Sequence, residues 1–277
     1  MILDGKLVAS SIKEQLKQEI ASSVHPPHLA IITIGENQAS QVYVRNKLKA
    51  CEEVGIKASH ITYSADEPID NIKRNIEILN RDFDINGIMI QLPLPEGYDE
   101  RELIDMIDPD KDVDGLTTIN IGRLRSGQSC LLPCTAAGII DLLKYYNITI
   151  DGKDVVIIGR SNIVGKPVAD LLMREGATIM QCHSHTKNLD SHTLKGDILI
   201  SAIGKPKFIT EDMIKTGATV IDVGINRDEN GKLCGDVDYE EVWVIAENIT
   251  PVPGGVGPMT VAELMKNTVE AWKKNNY

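Results

Sequence analysis

Tyr43 and Lys47 stand four residues apart, which puts them on one face of any helix that carries them. A lysine moves protons near neutral pH only where burial or a neighbouring cation depresses its pKa, because an exposed ammonium stays charged. The spacing supplies the pairing and leaves the burial open, so an exposed pair without chemistry fits it as well. Further groups that could share a cleft with the pair come later in the chain. Gln91 ends the apolar run GIMIQL (87–92) and precedes Pro93 and Pro95, while Asp112 and Asp114 lie in KDVDG (111–115). In open α/β sheets ligands collect outside the carboxyl ends of strands, which is where Gln91 would sit.

Tyr-x-x-x-Lys is similar to the pair of the short-chain dehydrogenases. In that family, however, the pair follows an N-terminal dinucleotide fold, and here it precedes the glycine loop by more than a hundred residues. That loop lies in VVIIGRSNIVGKPVADLL (155–172), which reads as strand, turn and helix and aims backbone N–H groups and a helix N-terminus at a phosphate. Gly159 and Gly165 are present, but the middle glycine of G-x-G-x-x-G is not, so the fingerprint is partial. A glycine ending a strand and another opening a helix also serve α/β proteins that bind no nucleotide.

The end of the next strand narrows the cofactor. An enzyme of this type that uses NAD places an Asp or Glu there, on the ribose hydroxyls. Here the run is Cys182-His183-Ser184-His185-Thr186, without a carboxylate, and Arg160 stands in the glycine loop. A cation plus a hydroxyl suits a ribose phosphate, so NADP is expected, with Arg160 as charged partner, Ser184 as hydroxyl donor and His185 adding charge when protonated. A second glycine-dense stretch, PVPGGVGPMT (251–260), allows close backbone approach to a ligand and places Pro258 near a helix start, although a tight structural turn would use the same residues.

These groups must be carried by elements, and the apolar pattern supplies them. Leu3, Leu7, Val8, Ile12, Leu16 and Ile20 recur at helical spacing until His25-Pro26-Pro27. LAIITIG (29–35) reads as a buried strand, followed by a helix near 38–54, a strand near 56–63, a helix near 70–82 and the strand 87–92. The segment 108–127 is rich in Asp, Gly and Thr and has little periodicity, so it reads as the junction. A helix at 135–147 follows, and then strands at 154–159, 177–182, 197–204 and 218–225, a turn at Asn230-Gly231 and an amphipathic helix over 259–274. Alternating short strands and helices predict an α/β protein with mostly parallel sheets. Two domains are expected: an N-terminal α/β catalytic domain over 1–120, joined by a returning helix at about 259–277, and a C-terminal Rossmann-like dinucleotide-binding domain over 121–258.

Composition limits the partners. Of the 277 residues 42% are hydrophobic and 25% charged, a balance that can bury a core. The formal net charge of −11 disfavours a nucleic-acid or anionic-membrane surface. No apolar stretch approaches the roughly 20 residues of a membrane span, and the first residues read as an amphipathic helix and not a signal peptide, so a cytoplasmic protein is expected. Five scattered cysteines make no disulfide framework, and Cys130 with Cys134, though spaced for one helix face, lack a second ligand pair, so no metal is expected.

Taken in order, YVRNK (43–47), QLPLP (91–95), KDVDG (111–115), GRSNIVGKP (159–167) and PVPGGVGPMT (251–260) resemble the bifunctional methylenetetrahydrofolate dehydrogenase/cyclohydrolase family over nearly the whole chain. The resemblance implies NADP-dependent oxidation of 5,10-methylenetetrahydrofolate to the methenyl cation, then hydrolysis to 10-formyltetrahydrofolate, within one-carbon metabolism and purine biosynthesis, both steps sharing one cleft in a subunit of a homodimer. It further implies that Lys47 is the catalytic lysine, that Tyr43 positions the folate, that Gln91 holds and tunes Lys47, and that Asp114 binds the pterin. Val44, Arg45, Asn46, Ile90 and Leu92 would line the folate, and the loop of Pro253, Gly254, Gly255, Val256 and Gly257 would close over it. Gly159, Arg160, Ser161, Gly165, Ser184 and Ile225 would contact NADP.

Two stretches depart from the family pattern: Ala136 in PCTAAG (133–138) replaces a proline, and LTTIN (116–120) lacks the usual aromatic and proline residues. Neither removes a proposed catalytic group. A dehydrogenase without the hydrolytic step and a non-catalytic nucleotide sensor are the competing readings; a sensor would need the glycine loop but not Tyr43, Lys47, Gln91 and Asp114.

Overall fold

The computed structural model describes residues 1–276, which divide into two compact units. One comprises residues 10–134 and the stretch from 261 onward; the other comprises residues 1–9 and 135–260. The chain opens with α1 (Gly5–Ile20), β1 (His28–Ile34), α2 (Gln38–Val54), β2 (Lys57–Tyr63), α3 (Ile69–Arg81), β3 (Gly87–Ile90), α4 (Glu100–Asp105) and α5 (Thr118–Arg125). β1 is the centre of a parallel sheet ordered β2-β1-β3, and six of its seven residues are buried. That is why it reads as a continuous apolar run: a central parallel strand is covered on both faces. β2 has no fully buried residue, only exposed and half-buried ones, as an edge strand does.

α2 has a defined start and stop. The Asn37 side chain accepts a hydrogen bond from the Ser40 N–H, and Gly55 ends the helix in the left-handed conformation at φ 95°. α3 buries Ile72, Ile76 and Leu79, one stripe at helical spacing, against Ala30, Ile32, Ile88 and Ile90 of the sheet. The segment expected to be irregular holds α5, and α4 precedes it. The Thr117 hydroxyl caps α5, and only Asn120 and Leu124 are buried, so there is no apolar stripe for a periodicity to reveal. α4, capped by Asp99, is six residues long, too short to repeat a pattern.

The second series runs α6 (Cys134–Tyr145), β4 (Asp154–Ile158), α7 (Gly165–Arg174), β5 (Thr178–Cys182), the single turn α8 (Asp190–Thr193), β6 (Ile198–Ser201), β7 (Thr219–Asp222), the two-residue strands β8 (Asn226–Arg227) and β9 (Leu233–Cys234), the turn α9 (Tyr239–Val242), β10 (Asn248–Ile249) and α10 (Val256–Asn276). Five strands form a parallel sheet ordered β10-β7-β6-β4-β5. The order reverses beside β4, the first strand of the series, which is the doubly wound arrangement with a crevice at that point. β8 and β9 pair antiparallel across Asn230-Gly231, with Gly231 at φ 75°.

The unit boundaries fall within α1 and α10 and beside Cys134, in places other than the expected 120/121 division. Residue 120 lies inside α5, and the first residues belong with the larger sheet, where Ile2 bridges Ile249 and the Leu3 N–H donates to the Ile249 carbonyl. The C-terminal helix returns to the unit of the first sheet: Leu264, Met265, Val269 and Ala271 join Leu29, Ile31, Val44 and Val54 in one core. α6 begins at Cys134, so Cys130 lies outside it and the two thiols do not share a helix face. All five cysteines are free thiols, and among the described residues no cluster of three His, Cys, Asp or Glu could hold a metal ion. Among the described residues no helix is long and apolar enough to cross a membrane.

Candidate functional site

Lys47 lies on the buried stripe of α2, in step with Val44, Ala50, Cys51 and Val54, and is itself only 8% exposed. Such a position normally takes an apolar residue. Its ammonium donates a hydrogen bond of 2.9 Å to Oε1 of Gln91, whose own amide donates to the Leu92 carbonyl at 2.7 Å. Gln91 lies one residue past β3, and its backbone N–H donates to the Ile32 carbonyl, so the carboxyl ends of two strands set the height of the lysine's partner.

Burial lowers the Lys47 pKa, and the nearby charge of Asp114 opposes the shift. Burial raises the half-buried Asp114 above the usual carboxylate range, while Lys47 pulls it back and Asp112 adds to the rise. Burial likewise drives the Cys134 thiol well above its ordinary value, so it stays protonated as a donor; it gives a hydrogen bond of 3.2 Å to the Val113 carbonyl. Asn267 of α10 donates to that same carbonyl at 2.9 Å and to the Leu132 carbonyl at 2.8 Å, anchoring the backbone on either side of Asp114 and Cys134. Tyr43, one turn before Lys47, is half-buried, and desolvation raises its phenol, which therefore remains a neutral donor.

The two acids of KDVDG have separate tasks. Asp112 is 1% exposed, and its oxygens accept from the N–H groups of Leu116 and Thr117 and from the Asn120 amide. It folds its own loop and is not available to a ligand. Lys111 ties the same segment to the Leu79 and Asp82 carbonyls at the end of α3. Asp114 is left as the carboxylate facing Lys47. Val44 and Ile90 pack their side chains into the two cores of this unit, whereas Arg45 and Asn46 are exposed and Leu92 is half-buried. A cavity of about 400 Å³ reaches Gln91 from the β2 side, between Thr33, Asn37, Arg45 and His60.

In the other unit the glycine loop has the shape a dinucleotide phosphate requires. Gly159 adopts φ 128°, and a Cβ there would lie 2.4 Å from the Ala202 carbonyl; a Cβ on Gly165 would lie 2.4 Å from the Gly159 carbonyl. Neither position has room for a side chain, so the backbone itself forms the cradle. Gln181 pins the Gly159 carbonyl at 3.0 Å, and the Ser161 hydroxyl accepts from the N–H groups of Val164 and Gly165 at the start of α7. Arg160 is exposed at the mouth of the loop, and Ser184 and His185 are exposed in the turn after β5, with the His183 N–H held by Thr186. Ile225 is 49% exposed and stands beside Gly257, 4.0 Å from where a Cβ would lie on that glycine. Of the expected glycine loop, Pro253 is exposed, Gly254 and Gly255 are buried, and Val256 and Gly257 already form the first turn of α10.

The sequence placed Lys47 without its burial, offered Cys134 only as a metal ligand beside Cys130, and carried no signal for Asn267. Cys134 stood beside a helix start and Asn267 within an amphipathic helix, where each fits an ordinary structural role. One signal was legible: a lysine at an i+3 position from Val44 and an i−3 position from Ala50 interrupts the apolar stripe of α2.

The family model described as tetrahydrofolate dehydrogenase/cyclohydrolase, catalytic domain, matches residues 3–114, and that of the same family's NAD(P)-binding domain matches residues 133–276. The bifunctional protein FolD of Agathobacter rectalis is 54% identical over 276 residues, covering 99% of each chain. The crystal structure of the bifunctional enzyme FolD, methylenetetrahydrofolate dehydrogenase/cyclohydrolase, from Campylobacter jejuni has a TM-score of 0.97 at 47% identity and covers 99% of each chain. That of the Trypanosoma brucei methylenetetrahydrofolate dehydrogenase-cyclohydrolase, complexed with NADP cofactor and inhibitor, has a TM-score of 0.94 at 37% identity, covering 99% of this chain and 97% of that one.

Proposed function

The chain belongs to the tetrahydrofolate dehydrogenase/cyclohydrolase family, and on that premise we propose that Lys47 is the proton-moving group of its hydrolytic step. The protein is a bifunctional enzyme that oxidises 5,10-methylenetetrahydrofolate with NADP and hydrolyses the methenyl product to 10-formyltetrahydrofolate. NADP, when bound, supplies the hydride acceptor. Gly159, Arg160, Ser161, Gly165, Ser184 and Ile225 hold it: the glycines by admitting its phosphates to the backbone, Arg160 and Ser184 by meeting the ribose phosphate.

The observation that carries the role of Lys47 is its burial together with the 2.9 Å hydrogen bond to Gln91. Desolvation supplies a neutral amine fraction that an exposed lysine lacks. The neutral amine accepts one proton of the water as its oxygen bonds to the methenyl carbon, and passes it to the departing folate nitrogen as the carbon–nitrogen bond breaks; the remaining hydroxyl proton leaves to solvent as the formyl C=O forms. Gln91 holds the amine in place, Tyr43 positions the folate as a neutral donor, and Asp114 accepts from the N–H groups of the pterin ring. Val44, Arg45, Asn46, Ile90, Leu92 and the loop of Pro253 to Gly257 complete the folate contacts. The folate half is assigned to the unit of residues 10–134 with the returning helix from 261 onward, and the NADP half to the unit of residues 1–9 and 135–260.

Lys47→Met keeps the buried stem and removes the amine. The expected result is a loss of methenyltetrahydrofolate hydrolysis, followed by its absorbance, of at least a hundredfold, with NADP affinity and the unfolding midpoint close to wild type. Undiminished hydrolysis would remove Lys47 from the mechanism.

A homodimer is proposed as the working form. Its support is the outer edge of β2: Lys57 and Tyr63 pair toward β1, so the backbone groups of Ala58, His60 and Thr62 alternate to the open side. No proline or central charge blunts that edge, as natural sheets otherwise arrange. The cytoplasm is the proposed location, consistent with cysteines that are all free thiols.

A further inference from the structure

Two carboxylates buried in the dinucleotide unit have no place in the chemistry above. Asp222 ends β7 at 3% exposure, and Asp236, just past β9, is fully buried. Oδ1 of Asp222 accepts from the N–H groups of Gly224 and Asp236, both at 2.9 Å, and Oδ2 accepts from that of Val237 at 2.9 Å. Oδ2 of Asp236 accepts from the Ser201 hydroxyl at 3.1 Å and the Ile203 N–H at 2.8 Å; Oδ1 accepts from the Lys205 N–H and the Asn226 amide, both at 2.9 Å. The acids are therefore interlocked, since Asp222 grips the backbone of Asp236, which grips the segments after β6 and β7. The contact leaves no slack: a Cβ on Gly224 would lie 2.3 Å from Asp236 Oδ1, and one on Gly235 would lie 1.7 Å from Asp222 Oδ2.

What these bonds hold is the carboxyl edge of the sheet on one side of the crevice. With strands ordered β10-β7-β6-β4-β5, a dinucleotide whose phosphates sit after β4 and whose ribose phosphate lies toward β5 must extend its other half over the ends of β6 and β7. Ile225 lies between Gly224, fixed by Asp222, and Asn226, fixed by Asp236. A loop of irregular backbone has many conformations, and four hydrogen bonds from Ile203, Lys205, Gly224 and Asn226 to two buried acceptors restrict them before the cofactor arrives, while those from Ser201, Asp236 and Val237 fix the acceptors themselves.

We propose that Asp222 and Asp236 are positioning residues for the dehydrogenase step, holding residues 202–205 and 223–226 in the conformation that receives the nicotinamide half of NADP. The inference rests on the assignment of Ile225 as a cofactor contact.

The hydrolytic step uses no NADP, so the enzyme's two activities separate positioning from general structural damage. In Asp236→Asn one acceptor oxygen becomes a donor facing donors. The expected result is a KM and a dissociation constant for NADP raised at least tenfold, with the folate KM and the rate of methenyltetrahydrofolate hydrolysis changed less than twofold. Asn226→Ala removes a single bond and guards against failure to fold; it should raise the NADP constants about threefold with the same selectivity. Ile225→Ala is measured alongside. If it weakens NADP and both other variants bind NADP as wild type does, or lose the two activities in parallel, the positioning role is overturned while the Ile225 contact stands. If Ile225→Ala leaves NADP affinity unchanged, the contact fails and the inference falls with it.

Discussion

Lys47 shows how one residue type acquires a function from its surroundings. On an exposed helix face the same Tyr-x-x-x-Lys would be a solvated pair; on the buried stripe of α2 it is a desolvated amine with one fixed partner. Arg160 is the opposite case, because an exposed guanidinium keeps its charge without help and needs only to lie where a phosphate arrives. Arg160→Ala should therefore weaken NADP by about ten- to a hundredfold, the range for losing a charge-assisted hydrogen bond of about 1.5–3 kcal/mol, and leave NAD nearly unaffected. Paired binding titrations check this, and equal weakening of the two cofactors would count against the ribose-phosphate contact.

At the scale of elements, the position of the lysine depends on how α2 is terminated. Gly55 at φ 95° lets the chain leave the helix and enter β2 two residues later, and a Cβ there would meet only Ile20 Cδ1 at 3.7 Å. Space is thus available, and the cost of Gly55→Ala is that of the left-handed backbone alone, about 1 kcal/mol. Urea unfolding should show a loss of that size, with both turnover numbers unchanged at a temperature where the variant is folded. A loss of several kcal/mol would mean that the turn also bears packing. The short helices α4 and α5 show what periodicity misses: each is set by a capping side chain and buries only two residues, so neither prints a repeat in the sequence.

For the whole molecule, the acids of the second unit tie its stability to pH. Burial and the neighbouring Asp236 push Asp222 up to about 7, against three N–H donors that favour the anion. The unfolded carboxyl titrates near 3.9, so between about pH 4 and 7 the folded state holds a proton that the unfolded state has lost. Folding stability from this group therefore falls as pH rises through that window, by at most about 1.4 kcal/mol per pH unit. Denaturation at pH 5 and pH 7 should show Asp222→Asn less sensitive to that rise than wild type; parallel curves would exclude the shifted carboxyl. Sedimentation is expected to give twice the chain mass, and a single-chain mass at micromolar concentration would reject the homodimer and the role given to the β2 edge.

The principal strands and crossover helices, the α/β class with two units and the glycine loop were legible in the sequence, because apolar spacing and glycine's backbone freedom are local properties that need no partner from elsewhere in the chain; the short helices α4 and α5 and the place of the division were not. Five motifs in order also carried the family. What the tertiary structure decided is which polar groups are dry and which are spent. It sent Asp112 into its own loop and left Asp114 to Lys47, and it returned α10 so that Asn267 braces the backbone around them. It also joined Asp222 to Asp236 beneath the loops around Ile225. Desolvation and long-range hydrogen bonding depend on neighbours that are distant in sequence, and no spacing rule records them.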